Sequence, residues 1–196
     1  MRTILAVAAV AAGLSTAAEA ASKIDLRTKD GVAAVKGEWR YSPVKIVEVA
    51  AKGTDGKATP TYNIDPKAFG AAFDDSGWEV ADPTTLKNPR GGGQVCFAWY
   101  RIMITVPRDA AGKTVVFQTT VDDYGEVWVD GKLTYKGGQT GGAVVAGFNA
   151  PNRVELKNAE PGRVIQIAVF GINGPISLAP GNRIFLGPTF LELGDR

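Results

Sequence analysis

Glycine and proline recur along the whole chain and divide it into short apolar runs. The 196 residues include 24 Gly and 11 Pro, scattered rather than clustered. Short runs rich in valine, isoleucine, threonine and aromatic residues, bounded by such turn formers, are typical of β-strands. No stretch after residue 20 repeats its apolar residues at a helical spacing over a useful length. The pattern therefore predicts an all-β fold, an antiparallel β-sandwich or jelly roll.

Nine segments carry this strand pattern. The predicted strands are Glu38–Val49, Gln94–Val106, Thr114–Val121, Glu126–Val129, Leu133–Lys136, Ala143–Phe148, Arg153–Leu156, Val164–Phe170 and Ile184–Leu193. The stretch Ala50–Pro60 is rich in Gly, Lys and Thr, and it is predicted to be a surface loop rather than a domain boundary.

Alternation within Gln94–Val106 separates two faces of one predicted strand. The even-numbered residues are mostly apolar and are assigned to the core. The odd-numbered face carries Trp99 and Arg101 among other large side chains. A polar–aromatic face of this kind indicates either a ligand-binding surface or a sheet face that loops cover.

The first twenty residues have the features of a secretory signal peptide. Arg2 supplies a positive charge, Ile4–Leu14 is a run of small apolar residues, and Ala18–Ala20 matches an A-x-A cleavage site. The run is too short for a membrane span. We therefore predict a signal peptide over residues 1–20, a single domain over residues 21–196, and a periplasmic or secreted location.

Composition excludes several classes of chemistry. There is no histidine, which removes Ser-His-Asp and Cys-His catalysis and His-ligated zinc. Cys96 is the single cysteine, so no intrachain disulfide can form. The net charge is +2 with both signs interspersed, so neither a nucleic-acid surface nor a membrane surface is expected.

One segment of eleven residues, Val121–Gly131, combines acidic and aromatic side chains. Its carboxylates are Asp122, Asp123 and Glu126, and its rings are Tyr124 and Trp128. Carboxylates accept hydrogen bonds from sugar hydroxyls or bind Ca²⁺, and aromatic faces cover apolar ligand surfaces. The segment is consistent with a sugar site, a calcium site or a solvated hairpin tip.

The same carboxylates are candidates for catalysis. A glycosidase needs an acid and a second carboxylate across the substrate, and Asp122 with Glu126 is the pair that this segment offers. Alternation along a strand places Asp122 and Asp123 on opposite faces, so these two are expected to be a poor pair.

Two further groups offer ligand contacts on a strand. Trp99 and Arg101 are two residues apart, so both can meet one ligand, with the ring stacking and the guanidinium binding a carboxylate. The alternative is a tryptophan that caps the sheet with Arg101 stacked on it. Arg40, which lies between Trp39 and Tyr41, offers a similar platform with the same ambiguity.

Loop residues complete the list of candidates. Gln139 lies in a Gly-rich stretch that lacks the residues of a phosphate-binding loop, and it is predicted to border a binding cleft. Asn149, Asn152 and Asn173 each lie near Pro or Gly, where asparagine is first of all a turn former. The turn role is favoured for Asn173, and Asn149 is left open between a turn and a sugar contact.

The order of several motifs resembles the sugar-binding jelly roll of glycoside hydrolase family 2. The motifs are Phe73–Trp78 (FDDSGW), Trp99–Arg101 (WYR), Val127–Gly131 (VWVDG) and Pro161–Val169 (PGRVIQIAV). The resemblance implies a galactose-binding-like fold. Asp130 stands where that family often has asparagine, a departure that suits the same turn.

A closer resemblance is to the N-terminal extension domain of bacterial gluconolactonase-like proteins, and it runs from Lys36 to Leu193. It is carried by Gly37–Ser42 (GEWRYS), Asp82–Leu86 (DPTTL), Val121–Tyr124 (VDDY), Gly147–Arg153 (GFNAPNR) and Phe170–Ser177 (FGINGPIS). The β-propeller lactonase that follows in those proteins has no counterpart here, since six blades of roughly 40 residues each do not fit this length.

With the predicted signal peptide, these resemblances indicate an exported module that binds a carbohydrate or sugar acid without chemistry and without a required cofactor. One alternative is a carboxylate-dependent lactonase, lyase or glycosidase. Another is a domain that docks on a separately encoded propeller-type lactonase or sugar dehydrogenase.

Overall fold

The computed structural model of the chain describes residues 21–65, 67–91, 96–134, 149–174 and 183–195. The predicted signal peptide, the predicted strand Ala143–Phe148 and Gln139 lie outside these residues. The described strands are β1 (Ser22–Asp25), β2 (Trp39–Lys52), β3 (Ala58–Asp65), β4 (Glu79–Ala81), β5 (Cys96–Thr105), β6 (Thr114–Asp122), β7 (Tyr124–Val129), β8 (Lys132–Leu133), β9 (Pro151–Glu155), β10 (Val164–Asn173), β11 (Phe185–Leu186) and β12 (Phe190–Gly194). A helix, α1, spans Lys29–Ala34, and 3₁₀ turns span Pro83–Thr85 and Arg108–Ala110.

The described strands form two antiparallel sheets. A five-stranded sheet has the order β1-β12-β6-β11. The strand β9 also pairs with β6, on the edge opposite to β12. A seven-stranded sheet has the order β3-β2-β5-β10-β7-β8, with β4 paired to β2. All pairings are antiparallel in the described part of the chain. The predicted all-β sandwich is therefore confirmed.

One local prediction was wrong, and one element was not predicted. The stretch Ala50–Pro60 is not an open loop, because β2 and β3 pair there as a hairpin whose turn is closed by a bond from Gly53 N to Lys57 O of 2.8 Å. The helix α1 was not predicted at all, since six residues are too few for a periodic signal. Its start is marked by Thr28, whose hydroxyl accepts a bond from Gly31 N. Within the described residues, no helix has the length and apolar character that crossing a membrane requires.

The main core lies between the two sheets. It takes the even-numbered side chains of β5, as alternation predicted, and the odd-numbered side chains of β6 and β10. The largest of its fully buried side chains include Trp39, Tyr100 and Phe117. Burial of such side chains removes apolar surface from water, and this is the main stabilising contribution to a sandwich of this size.

A second apolar cluster covers the outer face of the seven-stranded sheet. Trp99, Ala168 and Phe170 are buried there beneath Ala68, with Phe73 and Trp78 packed against them. The chain between β3 and β4 therefore lies over the odd-numbered face of β5. The polar–aromatic face that the sequence shows is a sheet face that a loop covers, which was the second of the two interpretations.

Candidate functional site

The connection from β6 to β7 passes from one sheet to the other at one end of the sandwich. Asp122 is the last residue of β6 and lies opposite Phe185 of β11. Asp123 follows through a cis peptide bond and is 3 % exposed. Its backbone N donates to the carbonyl of Ile172 at 3.2 Å, so the connection is held against β10. Two carboxylates thus lie where the two sheets meet.

Asparagine side chains gather at the same end. Asn149 has a left-handed backbone (φ 51°), and its N donates to the carbonyl of Asp123 at 3.0 Å. Its side chain lowers the pKa of the Asp122 carboxyl. Asn152, at the start of β9, is buried, and its Nδ2 donates to the carbonyl of Gly125 at 3.4 Å. Both amides therefore face the β6–β7 connection.

Asn173 is the most deeply buried of these amides. It is the last residue of β10, it is 0 % exposed, and neither Nδ2 nor Oδ1 has a hydrogen-bond partner in the described part of the chain. The next residue, Gly174, donates its N to Asp123 Oδ2 at 3.4 Å. We call the set Asp122, Asp123, Asn149, Asn152 and Asn173 the carboxylate–amide corner.

Two glycines lie behind the carboxylate–amide corner. A Cβ on Gly125 would lie 2.5 Å from Val121 Cγ2, and one on Gly171 would lie 3.0 Å from Ile184 Cγ2. The sheets approach too closely there for any larger side chain. Val121 and Ile184 are each 1 % exposed, so they fill the space between the sheets behind the corner. The amide of Asn173 lies two residues beyond Gly171 on the same face.

The two aspartates act on each other, although strand alternation would place them on opposite faces. Partial burial raises the pKa of Asp122, and the neighbouring Asp123 carboxylate raises it further, while the Asn149 hydrogen bond lowers it. Strand alternation failed here because Asp123 belongs to neither strand, lying between the end of β6 and the start of β7. Asp122 therefore holds its proton to a higher pH than an isolated aspartic acid.

Glu126 does not join this pair. It lies on β7 beside Trp128, whose Nε1 donates to Glu126 Oε2 at 3.0 Å, and it is not among the groups that shift the pKa of Asp122. The predicted catalytic pair of Asp122 and Glu126 is therefore not assembled in this structure. Nor do Asp122, Asp123 and Glu126 converge as metal ligands, since the described residues contain no group of three acidic or cysteine side chains that could hold an ion.

Trp99 and Arg101 have structural roles instead of the predicted ligand contacts. Trp99 is 3 % exposed and packs with Phe170, their ring centroids 4.7 Å apart, so neither face of its ring is open for stacking. Arg101 is 2 % exposed and already has an anion partner, because its Nε lies 2.7 Å from Asp75 Oδ2. Alternation along the strand could not predict the loop that covers this face.

The remaining predicted contacts lie away from the carboxylate–amide corner. Arg40 pairs with Glu38 at 2.5 Å on the outer face of β2. Trp128 stacks on Phe69 with centroids 4.5 Å apart, so its ring is partly covered. Tyr124 is half-buried at the start of β7, and it lies on the same outward face of that strand as Trp128. Of the predicted site residues, the structure brings together Asp122, Asp123 and Asn149.

Sequence reasoning missed the burial of Asn173 although a signal was present. Ile165, Ile167 and Val169 of β10 are buried in the core, and Asn173 continues their alternation after Gly171. An amide on the core face of an apolar strand is a stronger indication of a site than its neighbouring glycine is of a turn. Asn152 carries no comparable signal, since its burial depends on pairing between β9 and β6.

Comparison with solved structures shows the fold. Two structures of β-glucuronidase 2 from Bacteroides uniformis, one covalently bound to cyclophellitol-6-carboxylate aziridine and one a calcium-binding mutant, align at a TM-score of 0.52 with 16 % and 15 % identity. Each match covers 88 % of this chain and 18 % of the other. A β-glucuronidase from Faecalibacterium prausnitzii aligns at a TM-score of 0.47 with 18 % identity over 91 % of this chain and 32 % of its own.

No family model matches the chain, and no curated protein matches it. The chain spans less than a fifth of the length of the B. uniformis enzyme. At these identities the likeness shows the antiparallel sandwich, and it places the same architecture within part of a larger enzyme.

Proposed function

We propose that the chain is a non-catalytic binding module for a carbohydrate or sugar acid, and that the carboxylate–amide corner holds the ligand's hydroxyl groups. The observation that carries this proposal is the Asn173 amide, which is fully buried with no partner among the described residues. A buried amide without a hydrogen bond is destabilising. Its presence is explained if a ligand supplies the missing donor and acceptor.

The chemistry of the corner suits hydroxyl groups better than other ligands. A hydroxyl both donates and accepts, so it can bond a carboxylate and an amide at once. Asp122 and Asp123 supply acceptors, and Asn149 and Asn173 supply both kinds of group.

The resemblances and the fold support the same class of ligand. The motifs resemble those of glycoside hydrolase family 2, and the enzymes that share the fold are β-glucuronidases by name. The sugar-acid form of the proposal rests on the resemblance to gluconolactonase-associated domains, as does the alternative of a propeller-type partner. Export through the segment 1–20 is part of the proposal, and Ca²⁺ is not required by it.

Replacing Asn173 with leucine is expected to separate stability from binding. The substitution removes two unpartnered polar atoms from the core face at similar volume, so the free energy of unfolding should rise by about 1–3 kcal/mol. Affinity for the ligand should fall at the same time, by about ten-fold or more for each lost pair of hydrogen bonds. Denaturant unfolding measures the first effect.

The ligand itself is sought with a thermal-shift screen of neutral sugars, sugar acids, lactones and Ca²⁺. A ligand at about 100 times its Kd adds roughly 2.7 kcal/mol to stability, a shift that is readily seen. Asn88→Leu is the control, because Asn88 is an exposed asparagine. If Asn173→Leu keeps the wild-type affinity for a ligand found in the screen, the corner is not its site.

A second function, catalysis by the aspartate pair, is favoured by the raised pKa of Asp122. Asp122 holds its proton to a higher pH than a free aspartic acid and can donate it, while Asp123 supplies the neighbouring carboxylate. Hydrolysis of a lactone or glycoside should then weaken as the pH rises through the pKa of Asp122. Asp122→Asn should abolish turnover, and binding without turnover in the wild-type chain would leave the binding module as the function.

A further inference from the structure

A cavity of about 400 Å³ opens at the other end of the sandwich from the carboxylate–amide corner. It lies between the end of α1, the end of β5 with the 3₁₀ turn that follows, and the turn before β10; its lining includes Lys36, Thr105, Pro107, Arg108 and Pro161. We call this the basic cavity. The strand β5 has ten residues, so the two ends of the sandwich are roughly 30 Å apart along it. A ligand at one end therefore cannot touch a ligand at the other.

The charged residues that line the basic cavity are both positive. Its lining contains Lys36 and Arg108 and no carboxylate. Six of the eight arginines in the described part of the chain pair with a carboxylate: Arg27, Arg40, Arg90, Arg101, Arg153 and Arg163. Arg108 is one of the two that do not. Glu38, the acidic residue next along the chain from Lys36, is already paired with Arg40.

Lys36 occupies a backbone position that disfavours it. It follows the C-cap of α1 with φ 51°, and the helix is closed there by bonds from Lys36 N to Ala33 O (3.0 Å) and from Gly37 N to Val32 O (2.7 Å). Glycine is the usual residue at this left-handed position, and any other side chain is disfavoured there. Lysine is unfavourable for the backbone here, and Lys36 forms no ion pair with a described carboxylate. This suggests that its positive charge has a role in binding.

We propose that the basic cavity binds a small organic anion, one that carries a carboxylate or a phosphate on a compact body. The Arg108 guanidinium can grip either group through two parallel hydrogen bonds, and the Lys36 ammonium adds a second positive charge. Thr105 offers a hydroxyl, and the two prolines offer rigid apolar walls. The volume is that of an ordinary small-molecule site.

This site is independent of the proposed function. The carboxylate–amide corner can bind the hydroxyl groups of a neutral sugar or a sugar acid, but its carboxylates do not bind the acid group, whereas the basic cavity presents cations to that group. An acidic ligand should therefore bind the basic cavity and a neutral sugar should not. Loss of binding at one site should leave the other unchanged, so failure of either proposal can be recognised separately.

The test uses calorimetric titration of the full chain with glucuronate, inorganic phosphate and glucose. We expect saturable binding of glucuronate or phosphate, weakened by added salt, with no competition from glucose. The two anions distinguish a carboxylate from a phosphate site. Lys36→Gly and Arg108→Gln should each weaken anion binding about ten-fold or more.

The melting temperature of Lys36→Gly and one control variant separate lost binding from lost stability. Lys36→Gly should leave the melting temperature unchanged or raise it, because glycine suits the left-handed backbone, so lost binding cannot be attributed to unfolding. Arg183→Gln removes the other unpaired arginine of the described residues and should leave binding intact. The proposal is overturned if neither anion saturates, if binding survives both cavity variants, or if Arg183→Gln weakens it equally.

Discussion

Replacing Arg101 with methionine is expected to lower the free energy of unfolding by about 3–5 kcal/mol. The Arg101 guanidinium is the centre of the loop that covers the outer sheet face. Its Nε bonds Asp75, its Nη1 bonds the carbonyls of Ala68 and Gly70, and its Nη2 reaches the carbonyl of Phe73 at 3.4 Å. Removing the cation leaves all four acceptors without their donor.

Arg101→Lys should be destabilising as well. An ammonium has no planar fork, so it cannot satisfy a carboxylate and three carbonyls in these fixed directions. The guanidinium also lies 5.3 Å from the centre of the Phe73 ring, a contact that a shorter head group would lose. Loosening of the loop would expose Trp99 and Phe170, which lie beneath it.

Urea unfolding followed by far-UV circular dichroism measures the change, and the emission of the tryptophans reports whether the loop has opened. Arg153→Met is the matched control. That guanidinium pairs with Glu192 at 2.5 Å at the surface, where such a pair contributes about 0–1 kcal/mol. Equal losses for Arg101→Met and Arg153→Met would mean that the loop does not depend on the buried cation.

The hydrogen bonds of Arg101 show that the family motifs contain residues that bond each other in the fold. Asp75 belongs to the FDDSGW motif and Arg101 to the WYR motif, and the two bond each other. In the same way Asp130 of VWVDG pairs with Arg163 of PGRVIQIAV at 2.6 Å, and its other oxygen accepts from Gln166 N. These motifs are interlocking parts of the framework. They predicted the fold well because they build it, and for the same reason they did not identify a ligand site.

Local patterns in the sequence predicted what depends on neighbours along the chain. The faces of β5 followed from alternation, and the burial of β6 alternates in the same way. The pairing of Asp122 with Asp123 could not be predicted, because alternation ceases where the chain leaves one sheet for the other. Burial of Trp99 could not be predicted either, since the residues that cover it are about thirty positions earlier in the chain.

In the candidate site, too, some residues could be predicted from local patterns and others only from long-range strand pairing. Asp122, Asp123 and Asn149 are close in the structure partly because β6, β7 and β9 start or end at one edge, and composition was enough to suggest the first two. Asn173 reaches them through the pairing of β10 with β7. Such long-range registers are set by the packing of the whole sandwich, so they are not readable from any one segment.

Replacing Trp39 with alanine is expected to lower the free energy of unfolding by about 3–5 kcal/mol. The indole is 1 % exposed in the main core, and its Nε1 donates to the carbonyl of Leu26 at 2.9 Å. Trp39 begins β2 in the seven-stranded sheet. Leu26 follows β1 and donates its N to Thr189 O, next to β12 of the five-stranded sheet. The indole therefore joins the two sheets by packing and by a buried hydrogen bond.

Trp39→Phe isolates the hydrogen bond from the volume. Phenylalanine keeps most of the ring but leaves the Leu26 carbonyl unpaired, a loss of about 1–3 kcal/mol. Val80→Ala, at an exposed position on the outer face, should change stability by less than about 0.5 kcal/mol. Circular dichroism is the suitable probe because Trp39 is itself a fluorophore. If Trp39→Phe were as stable as the wild type, the sheets would be joined there by apolar contact alone, and the donor would be dispensable.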